Sequence, residues 1–193
     1  MNPKFKQALK RSAVILIIIA LAVAIGFSWQ KISDAIDREN YPRPEQYADI
    51  ITKYSREYGV PESVIYAVIR SESGFDSSAT SGAGAIGLMQ IMPETFDWLL
   101  SKTHDGYEIG MLYDPDTNIK YGTLLLQYLF YQKYNNWESV YAAYNAGFAR
   151  VDGWLADPAC SKDGKLTDIP IEETKNYVSK VSDAVEKYKE LYY

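Results

Sequence analysis

At 193 residues, nearly half of them apolar, the chain has material for one packed domain. A lone Cys160 excludes an intramolecular disulfide, and a lone His104 makes a histidine-based metal site a poor reading. The stretch up to Trp29 holds four of the 20 basic residues and none of the 25 acidic ones, so the remainder has a net charge of −9, which speaks against nucleic acid as a partner.

In chain order, the first feature is an apolar run from Ala13 to Phe27, interrupted only by Gly26, continued by Ser28 and Trp29 and preceded by Lys4, Lys6, Lys10 and Arg11. At 1.5 Å per helical residue, Ser12 to about Ile32 covers roughly the ~30 Å hydrocarbon layer, with Trp29 suited to the far interface. Four basic residues before the run, against Lys31 and Arg38 after it, orient the N-terminus toward the cytoplasm. Residues 1–32 are therefore read as a basic tail and single-pass transmembrane anchor. A cleaved signal peptide is the competing reading, because Ala22-Val23-Ala24 offers small residues in the right spacing. Both readings place the rest of the chain outside the membrane.

Residues 33–46 are polar and end in Tyr41-Pro42-Arg43-Pro44, where two prolines deny a helix its donors, and they read as a stalk. Helical periodicity dominates residues 47–193, so the expectation is a mainly α domain with helices at about 45–58, 61–73, 93–102, 115–134, 137–146 and 171–190. Between the second and third of these lies a long loop, Gly74 to Gln90, bearing Gly74, Gly82, Gly84 and Gly87. Loops of that length without regular structure are uncommon unless they bind something.

Glu72 stands just before this loop. It lies three, four, seven and eight residues beyond Ile69, Val68, Ile65 and Val64, hence on their buried face in the last helical turn. Loss of water and the negative end of the helix dipole both penalise its charged form, so its pKa is expected to rise. A carboxyl that keeps its proton at neutral pH suits the work of a leaving-group acid. Pairing with Arg70 or a lysine is the structural alternative. No clear partner carboxylate is evident: Asp76, Glu94 and Asp97 are near in sequence, but Glu94 and Asp97 fall in the first turns of the next helix, where acids are favoured by its dipole alone.

Three ordered motifs carry a resemblance: Ile69-Arg70-Ser71-Glu72-Ser73, then Gly84-Ala85-Ile86-Gly87-Leu88-Met89-Gln90-Ile91-Met92-Pro93, then Ala143-Tyr144-Asn145-Ala146-Gly147. With Glu173-Thr174-Lys175-Asn176-Tyr177-Val178 and Asp114-Pro115, Asn118-Ile119 and Gly122, they make residues from about Val60 to Val181 resemble the soluble lytic transglycosylases, a family related in fold to goose-type lysozyme. The resemblance implies a lysozyme-like helical fold and Glu72 as catalytic acid and base. It further implies that Ser81, Met89 and Gln90 contact sugar and that Tyr144 and Tyr177 lie near the carboxylate. The residues themselves leave alternatives: a loop-bracing bond for Gln90, core packing for Tyr144 and Tyr177, and a helix-end role for Asn145, which is otherwise a candidate sugar contact.

The reaction so implied needs no metal or cofactor. Glu72 protonates the β-1,4 oxygen between N-acetylmuramic acid and N-acetylglucosamine in peptidoglycan, then deprotonates the sugar's 6-hydroxyl to give a 1,6-anhydromuramyl end, with the substrate's acetamido group assisting. Hydrolysis on the same scaffold is the runner-up. A non-catalytic wall-binding protein is a third reading.

Overall fold

The computed structural model describes residues 3–193, leaving out the side chains of residues 4–15, 17, 18 and 20. Helix α1 (Pro3–Asn40) makes up nearly all of one compact unit, Met1–Pro42. Helix α1 includes the polar segment from Gln30 to Asn40, which continues the helix with a Gln30 Nε2 to Asp34 Oδ1 hydrogen bond at 2.8 Å. Leu16, Ile19, Leu21, Val23, Ile25, Phe27 and Trp29 are all more than half exposed on it. Among the described residues no helix is long and apolar enough to cross a membrane. Of the 21 residues expected to span the membrane, Ser12 to Ile32, seven have side chains outside the described set.

The second unit, Arg43–Tyr193, begins inside the segment read as stalk. Arg43 explains the boundary: its guanidinium pairs with Glu62 at 2.9 Å and lies over the rings of Tyr66, Tyr192 and Tyr193. Helix α2 (Glu45–Tyr58) buries Tyr47, Ile51 and Tyr54, one face at helical spacing. Helix α3 (Glu62–Glu72) is more deeply set than an amphipathic pattern implies, because every residue from Ser63 to Ile69 is buried. It packs against α2 and against the long closing helix α8 (Glu172–Tyr192). Val178, Val181, Val185 and Tyr188 supply the buried stripe of α8, and each valine so covered contributes about 1.5–3 kcal/mol.

Around this pair stand α4 (Pro93–Thr103), α5 (Pro115–Tyr128), α6 (Trp137–Ala146) and α7 (Phe148–Ala156), with a two-residue hairpin of β1 (Ser161–Lys162) and β2 (Lys165–Leu166) before α8. Asp114 caps α5 by accepting from the Thr117 backbone N–H at 2.9 Å. The helix expected over 115–134 divides in two, for after Tyr128 the chain widens into a π-helix, Leu129–Tyr134. From that segment Lys133 and Tyr134 reach Asp152 of α7, at 2.6 and 2.9 Å. Helix α7 and the hairpin were not expected. The nine residues of α7 bury only Val151, too little apolar periodicity to be seen in the sequence.

Candidate active site

Helix α3 ends where Glu72 is needed. The Ser73 backbone N–H donates to Ile69 O at 3.0 Å, and Gly74 and Phe75 both turn into the left-handed region, at φ 60° and 72°. Phe75 accepts this strain in a setting that holds it: its ring stacks on Tyr47 and packs on Tyr66, while its N–H donates to Ser73 Oγ. Ser73 Oγ also donates to Leu88 O at 2.8 Å and so ties the end of α3 to the far side of the long loop.

That loop is irregular but firmly pinned. Asn118, buried on α5, donates from Nδ2 to Ile86 O and Leu112 O and accepts at Oδ1 from the Met89 N–H, at 2.9, 2.7 and 2.7 Å. One amide thus satisfies three buried backbone groups. Gly87 passes so close that a Cβ there would collide with Asn118 and the Leu112 carbonyl, and its φ of 77° disfavours any other residue. A Cβ at Gly122 would likewise strike the Met89 side chain.

Glu72 is half-buried, and α8 reaches it from the opposite side. The Tyr177 hydroxyl donates to Glu72 Oε1 at 2.6 Å, and one turn further on Lys180 Nζ donates to Ser71 O at 3.0 Å. Burial pushes the Glu72 carboxyl up to about 7, against the opposing pull of the Tyr177 hydrogen bond and the Lys180 charge. Among the described residues, no carboxylate is among the groups acting on it. Burial and the nearby Glu72 hold the hydroxyls of both Tyr177 and Tyr144 well above the ordinary tyrosine range, so both remain donors at neutral pH.

Of the residues singled out from the sequence, Glu72, Tyr177 and Tyr144 come together. Tyr144, half-buried, donates to Met89 O at 2.7 Å and so joins α6 to the loop. Met89 contributes its backbone, since its side chain is fully buried against Gly122 and cannot present a surface to a sugar. Gln90 sits in the left-handed region, and its Nε2 donates to Ala79 O and Gly87 O, the loop-bracing role. Ser81 Oγ accepts from the Ala85 N–H within the same loop. Asn145 is exposed and accepts from Thr174 Oγ1 at 2.7 Å, linking α6 to α8.

Tyr144 and Asn145 also line a cavity of about 690 Å³ whose floor and walls include Met92, Trp98 and Phe148, with Glu94 and Arg150 among its polar groups. Trp98 stands edge-on to Tyr128 and 6.3 Å from the Phe148 ring, which is 41% exposed. Sequence reasoning missed this set. Phe148 follows the stop glycine of α6, and nothing in its spacing marks it as a wall.

The transglycosylase SLT domain profile matches residues 49–166. The chain belongs to that family. The SLT match ends before α8, so Tyr177 and Lys180 lie beyond it. Over 142 residues the domain is 40% identical to the soluble lytic murein transglycosylase of Escherichia coli strain K12, covering 72% of this chain and 22% of that protein. It is 32% identical over 169 residues to membrane-bound lytic murein transglycosylase C of Actinobacillus pleuropneumoniae serotype 5b, covering 76% of this chain and 46% of the other. The chain thus spans about a fifth of the length of the first of these relatives and under half of the second. Among solved structures, the 70 kDa soluble lytic transglycosylase of E. coli superposes with a TM-score of 0.72 at 36% identity, over 80% of this chain and 25% of that one. An inactive mutant of lytic transglycosylase Slt from Pseudomonas aeruginosa gives 0.68 at 34% identity, over 78% and 25%. The SLT domain therefore has the expected mainly helical, lysozyme-like fold.

Proposed function

We propose that the chain is a membrane-anchored peptidoglycan lytic transglycosylase that cleaves the β-1,4 bond between N-acetylmuramic acid and N-acetylglucosamine and leaves 1,6-anhydromuramyl ends. One observation carries the reading. A half-buried carboxyl, pushed up to about 7, stands in the open end of α3 with no second carboxylate acting on it, in a family whose relatives are named for this activity.

The geometry supports a single-carboxyl mechanism. Oε1 of Glu72 is occupied as acceptor by the Tyr177 hydroxyl, which leaves the acid proton on Oε2 for the glycosidic oxygen. A retaining two-carboxylate site places its second carboxyl about 5–5.5 Å away, where repulsion would act on Glu72, and among the described residues no carboxylate bears on it. After leaving-group departure Glu72 is the anion that Tyr177 and Lys180 favour, and it takes the proton of the 6-hydroxyl as that oxygen closes on the anomeric carbon. The glycan continues along the cavity beyond Tyr144 and Asn145, where Trp98 and Phe148 offer ring faces to sugar.

Residues 1–32 serve as the anchor, with the N-terminus cytoplasmic and Arg43–Tyr193 acting on the wall. Support comes from the basic residues ahead of Ala13 and from the exposed apolar side chains between Leu16 and Trp29, which water does not favour. Likeness to a membrane-bound relative agrees with it. Mass spectrometry of purified peptidoglycan digested by the full-length chain in detergent tests the chemistry. Anhydromuramyl ends that vanish with Glu72→Gln are expected, and reducing muramyl ends in their place overturn the reading.

A further inference from the structure

Tyr177 and Lys180 lie three residues apart on α8, so they project from one face and meet the end of α3 together. Tyr177 reaches the carboxylate, whereas Lys180 reaches the carbonyl of Ser71, one residue earlier in the chain. That carbonyl belongs to the last turn of α3, whose unpaired acceptors form the negative end of the helix dipole. An ammonium there both ties down the turn that holds Glu72 and sets positive charge beside the carboxylate. The Lys180 side chain is exposed and plays no part in the core.

We infer that Lys180 is a positioning residue for Glu72, clamping the carbonyl end of α3 to α8 and stabilising the Glu72 carboxylate between the two proton transfers. The inference rests on Glu72 acting as both acid and base. An acid desolvated as this one is gives up its proton reluctantly, and a base too stable as an acid regenerates slowly. The reaction needs both forms in turn, so the groups that offset burial matter as much as burial itself. Three groups bear on that balance: Tyr177 and Lys180 from α8, which favour the anion, and Tyr144 from α6, whose own hydroxyl feels the Glu72 charge. Only Lys180 is cationic among them. A hydroxyl donates one hydrogen bond, while the ammonium adds a charge that salt can screen.

The test uses the full-length chain in detergent, with Lys180→Met and Lys180→Arg, and follows both glycan cleavage and the titration of Glu72 by ¹³C NMR. With Lys180→Met the alkaline limb of the cleavage profile and the Glu72 titration both move to higher pH. At pH 6 kcat falls about two- to fivefold with KM unchanged, the range of an exposed charge–dipole contact. Lys180→Arg restores both readouts. Raising the salt concentration moves the wild-type limb toward that of Lys180→Met and leaves the Lys180→Met limb in place. A limb that stays put in Lys180→Met, or an arginine variant no better than the methionine one, overturns the inference. Retained cleavage by Glu72→Gln defeats the underlying reading of Glu72 instead, whatever the Lys180 variants do.

Discussion

The two sides of Glu72 are held by different physics. On the loop side, Ser73, Leu88, Met89 and Asn118 form a mostly buried hydrogen-bonded joint in which the important partners are backbone groups. On the α8 side, the half-buried Tyr177 and the exposed Lys180 touch the acid and its helix end through their side chains. A joint of the first kind sets where the carboxyl stands. One of the second kind, besides clamping the end of α3, sets how readily it gives up a proton, because only there do a hydroxyl and a charge offset burial. The difference teaches that position is held from both sides of this site and acidity is tuned from one.

Removing the acid is the most severe way to probe this division. Glu72→Gln keeps the shape of the site and removes its proton, so cleavage is expected to fall about 10²- to 10⁴-fold, measured by release of soluble muropeptides. Breaking the loop side comes next. Asn118→Leu leaves Ile86 O, Leu112 O and the Met89 N–H without their partner, and urea unfolding is expected to register a loss of about 3 kcal/mol.

Acidity yields the third prediction. Glu72 holds its proton to about 7 in the folded chain, against 4.5 as the ordinary value, so the folded state binds more protons between those limits. The contribution of Glu72 to stability is therefore fully present below about pH 4.5 and is lost as pH rises through about 7. Glu72→Gln escapes that loss. It is expected to be more stable than the parent at pH 8, by on the order of 1–3 kcal/mol, and no more stable at pH 4. Equal stability at both pH values would show that the carboxyl is not desolvated.

A smaller effect than these belongs to Tyr177→Phe. Loss of its hydroxyl removes a donor that favours the carboxylate, so the alkaline limb of the cleavage profile moves up while kcat drops about three- to tenfold. A limb that moves down would reverse the role assigned to α8.

Much of the architecture was legible before the structure. The apolar spacing of Val64, Ile65, Val68 and Ile69 located α3 and set Glu72 on its inner side at the last turn, and glycines marked the ends of α3 and α6. Desolvation of Glu72 was legible for the same reason. Less so was the fate of the loop residues. Gln90 and Met89 carry chemistry that suits a sugar, yet the chain closes on itself there: the Gln90 amide nitrogen braces two carbonyls and Met89 fills the space left by Gly122. No spacing rule reveals which atoms a loop will use to satisfy its own backbone.

Periodicity along one helix thus determined that an acid would end a buried face and that its proton would be retained, because those are properties of local geometry and of removal from water. Which groups oppose that retention was decided only by the tertiary structure. Tyr177 and Lys180 lie more than a hundred residues from Glu72 and Ser71. They meet them because α8 packs on α3, and hydrogen bonds across such separations exist only once both helices are buried against each other.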